Sequence, residues 1–248
     1  MLFRSSNRGG DFQLHTIAVS GGEARQVTRV ATEATQGVWS PDGRHVAFVS
    51  AVHPRFSDKP FAESDTANRA EDKRREESKV KAKVIDQLLY RHWDSWVDGK
   101  RQHLFVLRMK DGVADGNPMD VTPGDTDAVP TSSTFSAGDE FAFSPDGKEL
   151  VHTATPVPTR EEAWSTNHDL WSVELASGKR TRLTSNPAAD GLPRWSPDGR
   201  LLAYRAQARA GFEADRWQLM VMERATGKAR SRSEEHTSEL QSRQYLVC

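Results

Sequence analysis

Apolar residues along this chain come in short runs with a strand-like period, separated by stretches rich in Gly, Pro, Asp and Ser. Three such runs, His45-Val46-Ala47-Phe48-Val49, Glu149-Leu150-Val151-His152-Thr153 and Leu201-Leu202-Ala203-Tyr204-Arg205, each predict a strand. The same turn precedes all three: Trp39-Ser40-Pro41-Asp42-Gly43, Phe143-Ser144-Pro145-Asp146-Gly147 and Trp195-Ser196-Pro197-Asp198-Gly199. Pro fixes φ where a type I turn needs it, and Gly tolerates the positive φ that follows. On the other side of each turn, Gly37-Val38-Trp39, Glu140-Phe141-Ala142-Phe143 and Leu192-Pro193-Arg194-Trp195 predict a strand leading in. Each unit therefore opens with a hairpin that carries a large aromatic beside its turn.

Two further strands complete the unit. Phe12-Gln13-Leu14-His15-Thr16-Ile17, His103-Leu104-Phe105-Val106-Leu107, Asp169-Leu170-Trp171-Ser172-Val173 and Trp217-Gln218-Leu219-Met220-Val221 predict a third strand, followed in each case by Gly. Three of them lead to a short fourth strand ending in Thr: Val27-Thr28, Val121-Thr122 and Leu183-Thr184. Four antiparallel strands repeated along a chain predict an all-β fold, a β-propeller whose blades stack radially. The repeat is uneven, with Phe143 lying 104 residues after Trp39 and Trp195 a further 52 on.

In chain order, residues 1–28 predict the end of a blade, so Met1 reads as an internal Met or an arbitrary start. The second blade spans residues 36–122 and holds an insertion over residues 51–100. Within it, residues 71–83 carry six basic and four acidic side chains with no Gly or Pro, which predicts a short solvated helix. Residues 139–184 predict a compact blade, and residues 192–230 begin another that stops before its last strand can end. Residues 111–118 and 123–136 are polar and predict loops. From Arg232 the strand period is lost, and Arg232-Ser233-Glu234-Glu235-His236-Thr237-Ser238-Glu239-Leu240-Gln241-Ser242 resembles the translation of a sequencing adapter. The domains expected are thus an incomplete propeller over 1–230 and a non-native tail over 231–248. Unclosed propellers leave edges exposed, so poor stability and aggregation are expected of the chain alone.

Composition narrows the function classes. With 34 basic and 35 acidic residues the formal charge is −1, which gives no reason to expect nucleic acid or an anionic membrane as partner. The single cysteine, Cys248, supports neither a disulfide framework nor a thiolate metal site. No His-Glu-x-x-His pair, phosphate-binding Gly loop or Gly-x-Ser-x-Gly nucleophile turn occurs; the nearest string, Thr134-Phe135-Ser136-Ala137-Gly138, lacks the first Gly and precedes a strand. The chain is expected to hold no catalytic residue, metal or cofactor of its own. The densest cluster of functional residue types is Tyr90-Arg91-His92-Trp93-Asp94-Ser95-Trp96. Its consecutive His, Asp and Ser do not make a triad, because a fold must assemble those groups at an oxyanion site. Two roles remain for the cluster: its Trp residues pack the foot of the third strand while Arg91 and Asp94 pair, or Arg91, His92, Trp93, Asp94 and Trp96 face a ligand.

The Ser-Pro-Asp-Gly blades, the segment Tyr90 to Trp96 ahead of a His-Leu-Phe-Val strand, and Glu162-Ala163-Trp164-Ser165-Thr166-Asn167 ahead of Asp169-Leu170-Trp171 together resemble the N-terminal propeller of prolyl oligopeptidase family serine peptidases. Bacterial dipeptidyl and acylaminoacyl peptidases are the branch most alike. The resemblance implies a propeller that gates short peptide substrates for a C-terminal α/β-hydrolase domain outside this chain, with release of N-terminal dipeptides. It leaves the compartment open between periplasm and cytoplasm. In four-stranded blades the loops after the second and fourth strands share one face. The insertion, residues 90–96 and Glu161-Glu162 are therefore expected together, facing the hydrolase domain, with the Ser-Pro-Asp-Gly turns on the opposite side. There Glu161 and Glu162 are candidate anchors for a substrate α-ammonium. A rival expectation from the turn motif alone is a non-enzymatic propeller of TolB type, acting as a protein-interaction scaffold.

Overall fold

A computed structural model of the chain describes residues 2–86, 88, 90–92, 95–97, 99–130 and 140–232, with Phe3, His92 and Ser95 described by backbone only. The expected tail from residue 233 onward, the string Thr134 to Gly138, Trp93 and Asp94 lie outside the described residues.

Among the described residues the strands form four blade-like antiparallel sheets. The first joins β1 (Leu2–Ser6), β2 (Gln13–Ile17) and β3 (Arg25–Gln26) in that order. The second orders β4 (Thr35–Trp39), β5 (His45–Val52), β8 (Arg101–Lys110) and β10 (Met119–Asp120), and β9 (Val113–Ala114) also pairs with β8. A separate hairpin in the insertion joins β6 (Arg91–His92) to β7 (Ser95–Trp96). The third sheet runs β11 (Phe141–Phe143), β12 (Glu149–Ala154), β13 (Asp169–Glu174), β14 (Arg180–Arg182). The fourth runs β15 (Asp190–Trp195), β16 (Leu201–Ala206), β17 (Gln218–Glu223), β18 (Ala229–Ser231). The fold is thus an open array of propeller blades, all-β apart from the insertion and a 3-10 segment at Thr159–Trp164.

The recurrent turn owes its shape to its own side chains. Ser40 Oγ donates to Asp42 Oδ1 at 2.6 Å and accepts the His45 N–H at 2.9 Å, while Asp42 Oδ1 also accepts the Arg44 N–H at 3.0 Å. Ser144, Asp146, Lys148 and Glu149 repeat this set, as do Ser196, Asp198, Arg200 and Leu201. Gly43, Gly147 and Gly199 close the turns at φ of 68°, 70° and 71°, where a Cβ would be strained. The Ser hydroxyl and the backbone N–H hold each Asp carboxyl below its usual range. The three turns sit side by side: a Cβ on Gly147 would lie 3.5 Å from the Asp42 carboxylate, and one on Gly199 3.6 Å from Pro145.

A second device repeats at the fourth strands. These are shorter than expected, because Thr28, Thr122 and Thr184 stand just past the ladder. Their hydroxyls instead accept the N–H of Leu14, Leu104 and Leu170 at 2.8, 2.9 and 2.9 Å. In the fourth sheet the Arg232 N–H donates to Leu219 O, as Val27, Val121 and Leu183 donate to Leu14, Leu104 and Leu170. The fourth strand therefore forms where the sequence predicted an interruption. A ladder asks only for backbone N–H and C=O groups, which Ala229–Ser231 and Arg232 supply whatever their side chains.

Successive sheets bury opposite faces of the same strands. Leu14 and Val27 of the first sheet meet Val46, Phe48, Phe105 and Leu107 of the second. Ala47, Val49, Leu104 and Val106, from its other face, meet Phe141, Phe143, Leu150 and Val173 of the third. Val151 and Leu170 then meet Leu202, Tyr204, Ala206 and Met222 of the fourth. Because both faces are covered, β5 and β8 read as near-continuous apolar runs in place of strict alternation. Among the described residues the outward face of the fourth sheet has no such cover: Leu219 is 39% exposed, whereas its counterparts Leu104 and Leu170 are fully buried. An exposed apolar sheet face associates readily. The 248-residue chain is expected to self-associate in light scattering, and Leu219→Glu to shift it toward monomer; a sharp, reversible unfolding transition of a soluble wild-type monomer would contradict this.

The insertion departs from expectation in where its helix lies. Helix α1 spans Phe61–Glu77, and residues 79–86 are exposed and belong to neither helix nor strand. Ser78 ends the helix in β conformation, with its hydroxyl donating to Val80 O, and the Lys-Val alternation that follows favours extension. Polar side chains pin α1 to the blades: the His53 N–H donates to Asn68 Oδ1 at 2.8 Å and the Ala31 N–H to Asp65 Oδ1 at 2.6 Å. Phe61 packs edge-on to Phe105 at 6.3 Å. Residues 111–118, expected as loop, contribute the short β9.

Candidate functional site

The loops after the second and fourth strands do share one face, opposite the turns. Gly124, after β10, donates its N–H to Ser57 Oγ in the insertion. Arg101 opens β8 with its side chain 3% exposed, and Nε lies 3.1 Å from Asp125 Oδ1 and 3.3 Å from Thr159 Oγ1. Thr159 begins the 3-10 segment Thr159–Trp164, which carries Glu161 and Glu162. One buried guanidinium thus ties the insertion, the loop after β10 and the loop after β12 together.

The two glutamates differ. Glu161 is exposed. Glu162 is half-buried, and its carboxylate has no hydrogen-bond or ion-pair partner among the described residues. Burial, and then the neighbouring Asp127 charge, push its pKa up to about 7 against the pull of Arg101. Asp127 is itself pushed up to about 6 by burial, although its Oδ1 accepts the Gln102 N–H at 2.6 Å. Two crowded acids beside one arginine favour a further cation or a held proton. Sequence reasoning missed Arg101, Asp125, Asp127 and Thr159, which lie in stretches that read only as strand start or polar loop.

The 90–96 cluster forms a hairpin on the insertion, with Arg91 paired to Trp96 and His92 to Ser95 along the backbone. Trp96 does not pack the foot of the third strand: it is 52% exposed, its ring 6.0 Å from that of Tyr90 and covered by Lys83 Nζ at 4.6 Å. The expected Arg91–Asp94 pairing and the place of Trp93 lie outside the described residues. Tyr90 and Trp96 wall a groove of about 820 Å³ bounded by α1, residues 80–86 and Lys100. Lys100 precedes Arg101 in the chain, so groove and acid pair are neighbours, but no contact among the described residues joins Glu162 to the hairpin. At the groove's edge Asp72 receives Lys100 Nζ at 2.8 Å and meets His53 Nε2 at 2.9 Å. Burial pushes the Asp72 carboxyl up, and these two hydrogen bonds more than offset it.

Among the described residues no cluster of His, Cys, Asp and Glu is arranged to hold a metal ion, and no helix is long and apolar enough to cross a membrane. No protein-family profile matches the chain. Dipeptidyl-peptidase 5 of Porphyromonas endodontalis is 29% identical over 215 residues, covering 86% of this chain and 29% of that protein. Dipeptidyl-peptidase 5 of Porphyromonas gingivalis is 30% identical over 224 residues, covering 90% of this chain and 31% of that protein. The chain carries a prolyl oligopeptidase family propeller. It spans under a third of the length of these curated relatives. The open blade array agrees with solved propellers: TolB of Acinetobacter baumannii and a TolB-like protein of Agrobacterium tumefaciens each superpose with a TM-score of 0.50. Each shares 14% identity, covering 92% of this chain and 40% and 59% of theirs. In a propeller of this family the face that gathers Arg101, Asp127, Glu162 and the hairpin is built from loops, which vary without disturbing the blades.

Proposed function

We propose that this propeller gates and positions short peptides for a serine-type α/β-hydrolase domain of the same protein, which releases N-terminal dipeptides. The observation that carries the reading is the similarity to two dipeptidyl-peptidase 5 proteins along 86% and 90% of the chain. The insertion face meets the hydrolase domain. Glu162, not the exposed Glu161, receives the substrate α-ammonium, since a half-buried carboxylate without a protein partner gains most from a cation. Closing the propeller over the hydrolase excludes water and selects peptides by length.

The test is to express the reading frame in full and assay dipeptidyl-coumarin amides with free and acetylated N-termini. Release from the free-amine substrates alone, abolished by a serine-directed phosphonate, is the expected result. The Ser-Pro-Asp-Gly turns taken alone support a second reading, a non-enzymatic interaction scaffold. An absence of hydrolysis, together with a reading frame that ends after further even blades, would select it.

A further inference from the structure

Residues 79–85 read Lys79-Val80-Lys81-Ala82-Lys83-Val84-Ile85, a strict alternation of lysine and apolar residues up to Val84. The segment follows the helix as chain outside helix and strand and is exposed, with Val80 at 72% and Val84 at 93%. It belongs to no sheet, and the backbone groups of residues 81, 82, 84 and 85 have no hydrogen-bond partner among the described residues. Exposed backbone with unpaired N–H and C=O groups can take up a further strand. Like charges placed opposite one another destabilise a strand pair, so three lysines on one side disfavour pairing with a second copy of this segment. They favour a strand that presents acidic side chains at the same period.

The groove beside this segment has the same preference. Arg74 and Arg75, which line it, meet the carboxylate of Glu71 at 2.8 Å each. With Lys81, Lys83 and Lys100 they outnumber the acids of the lining, Asp72 and Asp86, and leave a surplus of positive charge even with Glu71 counted. Tyr90 and Trp96 supply the apolar wall against which side chains of a bound strand would lie. The volume of about 820 Å³ falls within the range of ligand sites, and six extended residues at about 3.3 Å each span about 20 Å.

We infer that residues 79–86 and the wall made by Tyr90 and Trp96 form a β-augmentation site for the downstream part of a peptide substrate, selecting extended peptides with acidic side chains at alternate positions. Main-chain hydrogen bonds provide affinity in this mode, and the alternating side chains provide specificity. The inference rests on the peptidase reading for the identity of the ligand as substrate, and its test separates the two.

Fluorescence anisotropy on the full-length protein compares N-acetylated Ala-Glu-Val-Glu-Val-Glu with the corresponding lysine peptide. Acetylation removes the α-ammonium, so neither probe depends on Glu162. The acidic peptide is expected to bind at least about tenfold tighter, with the advantage shrinking as salt rises. The double variant Lys81→Glu, Lys83→Glu should abolish that preference, and Trp96→Ala should weaken binding of both peptides. Val84→Pro, which removes one main-chain donor and leaves the charge intact, should weaken the acidic peptide. These positions are exposed, so the variants fold. Equal binding of the two peptides, or an acidic preference untouched by the lysine reversals, overturns the site. In kinetics, kcat/KM for heptapeptides with acidic downstream residues should exceed that for basic ones, while a dipeptidyl-coumarin substrate, which ends at the cleaved bond, shows no change in the variants. Hydrolysis without this preference sinks the site and spares the peptidase reading; acidic binding without hydrolysis does the reverse.

Discussion

Phe48→Ala is expected to destabilise the chain by about 3–5 kcal/mol, a large part of the total for a marginally stable protein. Phe48 is fully buried in β5, between the first and second sheets. Its ring stacks on Phe105 at 5.6 Å with an interplanar angle of 16°. Phe105 in turn supports Phe61 of α1, so the cavity left by alanine loosens both the blade junction and the root of the insertion. Neighbouring side chains sit on strands that are themselves hydrogen-bonded in place, so they collapse only partly into the space. Urea unfolding of the variant beside wild type measures the loss. Phe212→Ala, at a side chain 41% exposed, is the control and should stay within about 0.5 kcal/mol. Equal midpoints for Phe48→Ala and wild type would mean that the first two sheets do not share a core.

Glu162→Gln is expected to stabilise the fold above neutral pH while weakening substrate binding. The folded carboxyl titrates near 7 and its ordinary value is 4.5. Between those values the unfolded chain has lost its proton while the folded chain retains it. Stability is therefore fully present below pH 4.5 and is lost as pH rises through 7. Gln mimics the protonated state, so the variant should match wild type at pH 4 and exceed it by roughly 2–3 kcal/mol at pH 8. In the full-length protein the same change should raise KM for free-amine dipeptide substrates at pH 8 about tenfold or more, through loss of a charge-assisted hydrogen bond. Glu161→Gln should change neither quantity. A stability gain with no change in KM would leave Glu162 as a strained acid and remove it as the ammonium anchor.

Much of this was legible in the residues. Ser-Pro-Asp-Gly specifies its turn through local bonds: Ser Oγ to the Asp carboxylate, Asp to the following N–H, and a glycine at positive φ. Such contacts span five residues and need no partner from elsewhere, so the three hairpins and the blade order followed directly. The Thr at the end of each fourth strand was visible as a repeat, but its bond to a Leu N–H some 14 to 18 residues away was not. The helix was misplaced because a mixed charged run satisfies helical propensity along its whole length. Its start at Phe61 is instead set by a contact with Phe105, 44 residues on in the chain.

The candidate site divides in the same way. That the insertion, Glu162 and the hairpin belong to one side of the propeller followed from strand count alone, because antiparallel connections alternate between faces. Which acid is desolvated did not follow, since Glu161 and Glu162 are adjacent and alike in sequence. Only tertiary packing buries one beside Asp127 and Arg101, residues distant in the chain, and leaves the other in water. Strand period, turn chemistry and the side of each loop were determined by the sequence alone; the choice of ionisable groups that lose their water was made by the tertiary structure, because desolvation depends on which distant segments arrive at the same place.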